Sequence, residues 1–371
     1  MARFSPASPP SRTQRLDAYF RKLNDRRNKK KSGPVPDLQV LIRSERLGLE
    51  YRYSSANPPR PYHIASIGKL FTAVLTIMLA EHGRLKLEDA IADYFEPAEL
   101  DRVFLHERTD YSRKVTIEQL LTHRSGIADY FGDPVADGPY FYQEIIAKPD
   151  RLWTPELLLD FTRTKQKAVA PPNGKFHYSD TGYVLLGLLL ERATGESFGA
   201  NLRRHIFEPL AMKDSYLLFH TKPAREPAAE LAPIWFQGTE ISKYRSLSCD
   251  WAGGGIVSTC EDLLAFGCAL REGKLIRPEA LQAMEACDQR FRPGLYYGQG
   301  MMETRFEQFF FLLRGLPRLK GHIGVLSTHF FYDPNTDTHI IMNFGSDADM
   351  VPSFKALIRI VNELRNYKKI P

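Results

Sequence analysis

Leu16, Tyr19, Phe20 and Leu23 fall at i, i+3, i+4 and i+7, one stripe of a helix, and a basic run follows them. Leu38-Gln-Val-Leu-Ile-Arg and Leu47-Gly-Leu-Glu-Tyr-Arg-Tyr then read as two strands joined by a short polar turn. Pro58, Pro59 and Pro61 break the pattern. A strong helix follows from about Ile67 to Glu81, with Leu70, Phe71, Val74, Leu75 and Met78 inward and Gly83 as its stop. From about residue 86 to 245 the pattern is mainly helical. Thr116 caps one apolar run, Thr154-Pro155-Glu156 opens another, and Tyr183 to Arg192 forms a third.

Ala252-Gly-Gly-Gly-Ile-Val-Ser-Thr reads as a glycine-rich turn leading into a helix from Glu261 to Leu270. Two strands close the pattern, Gly324 to Tyr332 and Thr338 to Phe344, with Asp333 to Asp337 as their turn. That turn resembles a fragment of a calcium loop, but a hairpin explains it better. Phe354, Leu357, Ile358, Ile360, Val361 and Leu364 mark a last amphipathic helix. Strands at both ends and helices between them imply an α+β fold: one antiparallel sheet flanked by terminal helices, with an inserted, mainly helical lobe. The expected organisation is a disordered lead over 1–12, a sheet domain of 13–85 and 250–371, and a helical domain of 86–249.

Composition narrows this picture. The 371 residues are 43% hydrophobic and 25% charged, which excludes a wholly disordered chain. No apolar run approaches the ~18 residues of a membrane span. The net charge of +6 is local: residues 1–31 carry ten basic and two acidic side chains, and the rest is nearly neutral. A solvated surface explains that run, and no nucleic-acid partner is expected. Cys249, Cys260, Cys268 and Cys287 lack metal-ligand spacing, so free thiols in the cytoplasm are expected, and no metal.

Three short segments carry candidate chemistry. Ser66-Ile-Gly-Lys69 puts a serine and a lysine on one helix face, where the amine can help remove the hydroxyl proton. About one such match arises by chance in a chain with this content of serine and lysine. Tyr178-Ser-Asp180 lies in a loop before a helix, and a tyrosine there can act as acid or base. His322-Ile-Gly324 stands at a strand start, where glycine lets a substrate approach the backbone. Each is weak alone.

In this order and with these flanks, the chain resembles the serine hydrolases of the class C β-lactamase and penicillin-binding-protein superfamily. Ser66-Ile-Gly-Lys69 matches the S-x-x-K element, Tyr178-Ser-Asp180 looks like Y-x-N, and His322-Ile-Gly324 looks like the third element, K-T-G or H-x-G. Val115 to Ile127, Tyr183-Val-Leu-Leu-Gly, Ile206 to Met212 and Ala252 to Thr259 are similar to the family's connecting text. The resemblance implies a β-lactamase/transpeptidase-like fold and an acyl-enzyme on Ser66. Lys69 and Tyr178 would relay the proton, the amides of Ser66 and Val325 would hold the oxyanion, and no cofactor would be needed.

Two departures shape the expected substrate. Asp180 stands where Asn is usual and lacks the amide N–H; pairing with Lys69 would keep that amine protonated. His322 replaces a lysine that binds substrate carboxylates; a largely neutral imidazole gives up that fixed charge and could hydrogen-bond Tyr178 or the substrate instead. Lys320, two residues earlier, is not a substitute. These changes favour a small ester or amide without that carboxylate, and esterase-type activity. The alternatives are a D-amino-acid-specific peptidase or carboxypeptidase, a weak β-lactamase, or a non-catalytic binding protein on the same fold. Tyr140-Phe-Tyr and Phe309-Phe-Phe read as core aromatics, or more sharply as a wall of an acyl pocket.

Overall fold

The computed structural model describes residues 11–30 and 35–365. The expected lead therefore lies mostly outside the described residues, and Arg12 already begins a helix, Arg12–Lys30. Eight strands form one antiparallel sheet. From one edge they run Gln289–Arg292, Leu295–Tyr297, Met302–Thr304, Lys320–Gly324, Thr328–Asp333, Thr338–Asn343, Gln39–Ser44 and Leu49–Ser54. The two ends of the chain meet inside it, with Ile42 opposite Ile340 on one side and Tyr51 on the other. This is the sheet expected from strands at both termini. The strands between residues 289 and 304 were not legible, because each is only three or four residues long.

The terminal helices, Arg12–Lys30 and Met350–Arg365, cover one face of the sheet. Leu16, Phe20, Leu357, Ile360 and Val361 bury against Val40, Ile42 and Ile340. The other face carries the helix Gly68–Glu81 and the segments inserted after it. Gly68–Glu81 is buried almost all round, which suits a central core helix rather than an amphipathic surface one. Thr154 caps Pro155–Lys165 by accepting from Leu157 N–H, and Gly195, at φ 74°, ends Asp180–Thr194.

Three local expectations are corrected. The glycine-rich stretch is not a simple turn: Trp251–Gly254 is one helical turn, Ile256–Ser258 is a strand of a small second sheet, and the helix is Cys260–Arg271. The run Gly324 to Tyr332 is not one strand. It breaks after Gly324, where Ser327 takes a positive φ of 58° and a tight hairpin returns the chain at Thr328. Finally, Phe309, Phe310 and Phe311 are exposed rather than packed in a core. Asp333 to Asp337 is the expected hairpin turn, with Asp333 accepting from Asn335 N–H and from the Thr336 hydroxyl.

Candidate active site

Ser66 lies in a single 3-10 turn, Ala65–Ile67, that runs directly into Gly68–Glu81. Ala65 has a φ of 49°, an uncommon conformation for a residue with a Cβ, so the chain bends sharply just before the serine. Three hydrogen bonds hold the bend. Ile64 N–H donates to Ile256 O at 3.0 Å, the Thr328 hydroxyl donates to Ile64 O at 2.9 Å, and Ala65 N–H donates to His63 Nδ1 at 3.1 Å. Gly324 packs against this turn: a Cβ there would stand 2.2 Å from Thr328 Oγ1 and 2.7 Å from Ala65 Cβ. Its value is thus in close approach of strand to nucleophile turn, and Val325 follows it, partly exposed, in the hairpin.

The glycine run acts in the same way from the opposite side. A Cβ on Gly68 would lie 2.9 Å from Gly254 Cα, so helix and loop touch backbone to backbone. That contact brings Gly253 O to 2.7 Å from Lys69 Nζ. The fully buried Lys69 also lies 3.2 Å from Ser66 Oγ and forms an ion pair with Asp180. Burial alone disfavours its charge, but the Asp180 carboxylate and the Tyr178 phenol outweigh that and hold the ammonium above the usual lysine range. The expected pairing of Asp180 with Lys69 is therefore formed.

Tyr178 approaches from the inserted segment and brings its ring to 5.0 Å from Lys69 Nζ. Burial pushes its phenol up to about 12, against the pull of Lys69, so it is neutral near pH 7. Ser179 caps the helix Asp180–Thr194 and so fixes the residues on either side of it. The cap donates its own hydroxyl to Ala128 O at 2.8 Å.

His322 behaves differently from expectation. It is fully buried, its Nδ1 lies 2.8 Å from Ile323 O and its Nε2 lies 3.3 Å from the Tyr297 hydroxyl. Both nitrogens are engaged, and neither hydrogen-bonds Tyr178. Burial and the nearby Lys69 push it down to about 3, which keeps it neutral. Lys320 is no substitute cation: Glu303 and Glu285 O hold it at 2.5 and 2.7 Å.

Two supporting residues escaped the sequence reading. His123, at φ 55°, accepts Ser179 N–H on Nδ1 at 3.1 Å, while its carbonyl accepts His177 N–H at 2.8 Å. Its ring lies 4.3 Å from that of Tyr178. Asp129 accepts Asp180 N–H at 2.9 Å, and burial together with the Asp180 charge pushes its carboxyl upward. The available signal was the Val115 to Ile127 flank, which holds His123 and ends two residues before Asp129.

Fold and site geometry are of the β-lactamase and penicillin-binding-protein type. The family model named Beta-lactamase matches residues 48–361, and the chain belongs to that family. Among curated proteins it is 29% identical over 184 residues to penicillin-binding protein 4 of Amycolatopsis lactamdurans, covering 47% of this chain and 43% of that one. It is 30% identical over 172 residues to penicillin-binding protein 4* of Bacillus subtilis, covering 44% and 34%. The chain thus aligns with less than half the length of either relative. Among solved structures, D-amino acid amidase from Ochrobactrum anthropi SV3 superposes with a TM-score of 0.75 at 21% identity, over 95% of this chain and 100% of that one. The hydrolase EstCE1, described as having promiscuous acyltransferase activity, superposes with a TM-score of 0.74 at 18% identity, over 95% and 99%. At these identities the structures speak to fold alone. No helix of the described residues is long and apolar enough to cross a membrane.

Proposed function

We propose that this protein forms a covalent acyl-enzyme on Ser66 with a small ester or amide lacking a substrate carboxylate, with esterase-type activity foremost. One observation carries the reading: the buried Lys69 lies 3.2 Å from Ser66 Oγ and 5.0 Å from the Tyr178 ring, so amine, hydroxyl and phenol are gathered at one place. A serine hydroxyl needs such partners to become a nucleophile.

Neither partner is a free base at rest. Lys69 is held charged and Tyr178 is a neutral phenol. The relay consistent with this makes Tyr178 a shuttle. As Ser66 Oγ bonds to the carbonyl carbon, its proton passes to Tyr178, whose own proton goes to the departing alkoxide or amine as the C–O or C–N bond breaks. Water then attacks the acyl-enzyme, its proton returns through Tyr178 to Ser66 Oγ, and the acid leaves. Lys69 keeps its charge and stabilises the oxygen atoms between which the proton moves. The amides of Ser66 and Val325 would hold the oxyanion, a donor pair of which each member is typically worth about 3–4 kcal/mol. The packing of Gly324 on Ala65 supports that pairing.

With Asp180 committed to Lys69 and His322 neutral and buried, neither residue offers a partner for a substrate carboxylate. That counts against penicillins and D-Ala-D-Ala peptides. The free cysteines support a reducing, cytoplasmic setting, and we take 13–85 with 250–371 as a sheet unit and 86–249 as a helical unit.

A second reading, an amidase or peptidase selective for D-amino acids, is favoured by the part-exposed Asp180 carboxylate, whose Oδ1 pairs with Lys69 and whose other oxygen suits a substrate amine. A panel of p-nitrophenyl acetate and butyrate, a D-amino-acid amide, a D-Ala-D-Ala peptide and nitrocefin separates these. We expect the short esters to turn over fastest and Ser66→Ala to abolish turnover; near wild-type rates in that variant overturn the proposal. A fluorophosphonate probe read by intact mass addresses the non-catalytic alternative: one adduct, lost in Ser66→Ala, supports the enzyme, and no adduct supports a binding protein.

A further inference from the structure

The loop between strands Met302–Thr304 and Lys320–Gly324 ends in an apolar tip. Phe310, Phe311 and Leu312 are 51%, 68% and 67% exposed, and the rings of Phe310 and Phe311 lie 5.0 Å apart at a tilt of 60°. Phe309 anchors the tip, with its ring 5.3 Å from Phe354 of the C-terminal helix. One turn back on that helix Val351 is 63% exposed, so the apolar surface continues from loop to helix.

Unpaired cations flank this surface. Arg314 follows the tip and Lys355 follows Phe354; both are exposed and form no ion pair with a described residue. The N-terminal helix, tied to the C-terminal one by Arg15–Glu363, presents Lys22, Arg26 and Lys29 in the same condition. The two helices together carry eleven basic and three acidic side chains. The apolar tip is small. Even at the upper figure of roughly 250 Å² for a large side chain, four side chains exposed by 51–68% offer only about 600 Å², short of the roughly 800 Å² per partner that a stable protein interface buries. A bilayer requires no such area: a few aromatic and aliphatic side chains enter the headgroup boundary while cations meet anionic lipid.

We propose that this face docks on an anionic phospholipid surface, with Phe310, Phe311 and Leu312 inserting and the cations of the two terminal helices facing the headgroups. The observations are independent of the catalytic reading. The test is sedimentation of the full chain with phosphatidylcholine vesicles containing about a quarter phosphatidylglycerol, against phosphatidylcholine alone. The chain should co-sediment with the anionic vesicles, and binding should weaken as salt rises from about 0.1 M to about 1 M. Phe311→Ser with Leu312→Ser, and separately Lys22→Glu with Arg26→Glu, should each lower partitioning at least tenfold. Thermal midpoint and turnover of a soluble ester should stay as in the wild type. Absence of binding to anionic vesicles, or binding indifferent to the Phe311/Leu312 pair, overturns the proposal. So does a concentration-dependent dimer that the same pair abolishes, since a second copy would then cover the tip.

Discussion

Asp180 forms an ion pair with Lys69 and thereby holds the amine beside the nucleophile in its charged form. Removing the carboxylate leaves burial to act on Lys69 with less opposition. Asp180→Asn should therefore lower the lysine pKa, and an alkaline limb should appear in the pH profile of kcat/KM between pH 6 and 10, absent from the wild type. A profile unchanged by the substitution would show that the pair does not set the proton state of Lys69.

Tyr178 carries the shuttle in its hydroxyl and much of its packing in its ring, which lies 4.3 Å from His123 and 4.9 Å from Phe291. Tyr178→Phe keeps the ring contacts. We expect kcat to fall roughly 10²- to 10⁴-fold, with KM and the unfolding midpoint little changed. Steady-state kinetics beside a urea titration reads both quantities.

His123 supports the Tyr178 loop without touching substrate, so it is a positioning residue. His123→Ala leaves the buried Ser179 N–H without its acceptor, a loss of about 1–3 kcal/mol, to which the ring cavity adds. Activity should fall mainly in kcat, and His123→Asn, which restores an acceptor, should recover part of it. Full recovery of stability without recovery of kcat would assign His123 to folding alone.

Gly324→Ala places a methyl group within 2.2 Å of Thr328 Oγ1 and 2.7 Å of Ala65 Cβ. Overpacking of this kind costs typically about 1–3 kcal/mol. Here it also pushes the strand away from the nucleophile turn, so the kcat loss should exceed what the fall in melting temperature accounts for. Calorimetry and single-turnover kinetics on one sample distinguish the two effects.

His322 links the site to acid stability. Its folded pKa, about 3, lies below the ordinary value of about 6.5. The unfolded chain therefore binds the proton more readily. The stabilisation is complete above about pH 6.5 and is lost as pH falls towards the folded value. Between pH 7.5 and 5 the wild type should lose about 2 kcal/mol relative to His322→Gln. Urea unfolding of both proteins at the two pH values measures this difference, and equal losses would remove His322 from the account.

Much of this protein is determined by the sequence by itself. The 3.6-residue stripe of Leu357, Ile360, Val361 and Leu364 and the alternation through Leu49, Tyr51 and Tyr53 are local patterns, so the outer helix and edge strand are legible without a fold. Ser66 and Lys69 share a helix face through spacing alone. Tyr178 could be attached to them only by family resemblance, because more than a hundred residues separate it from Lys69 and periodicity does not reach so far.

Only the tertiary structure decided how the remaining residues act. His322 looks like a cleft residue in the chain, yet strand pairing turns it inward onto Tyr297. The tight return after Gly324 splits one apparent strand into two. Phe309, Phe310 and Phe311 carry the composition of a core but lie in a loop, outside any layer able to cover them. The proton state of Lys69 depends on a carboxylate that another helix brings in. Burial and charge are sums over neighbours in space, and a linear pattern contains only neighbours along the chain.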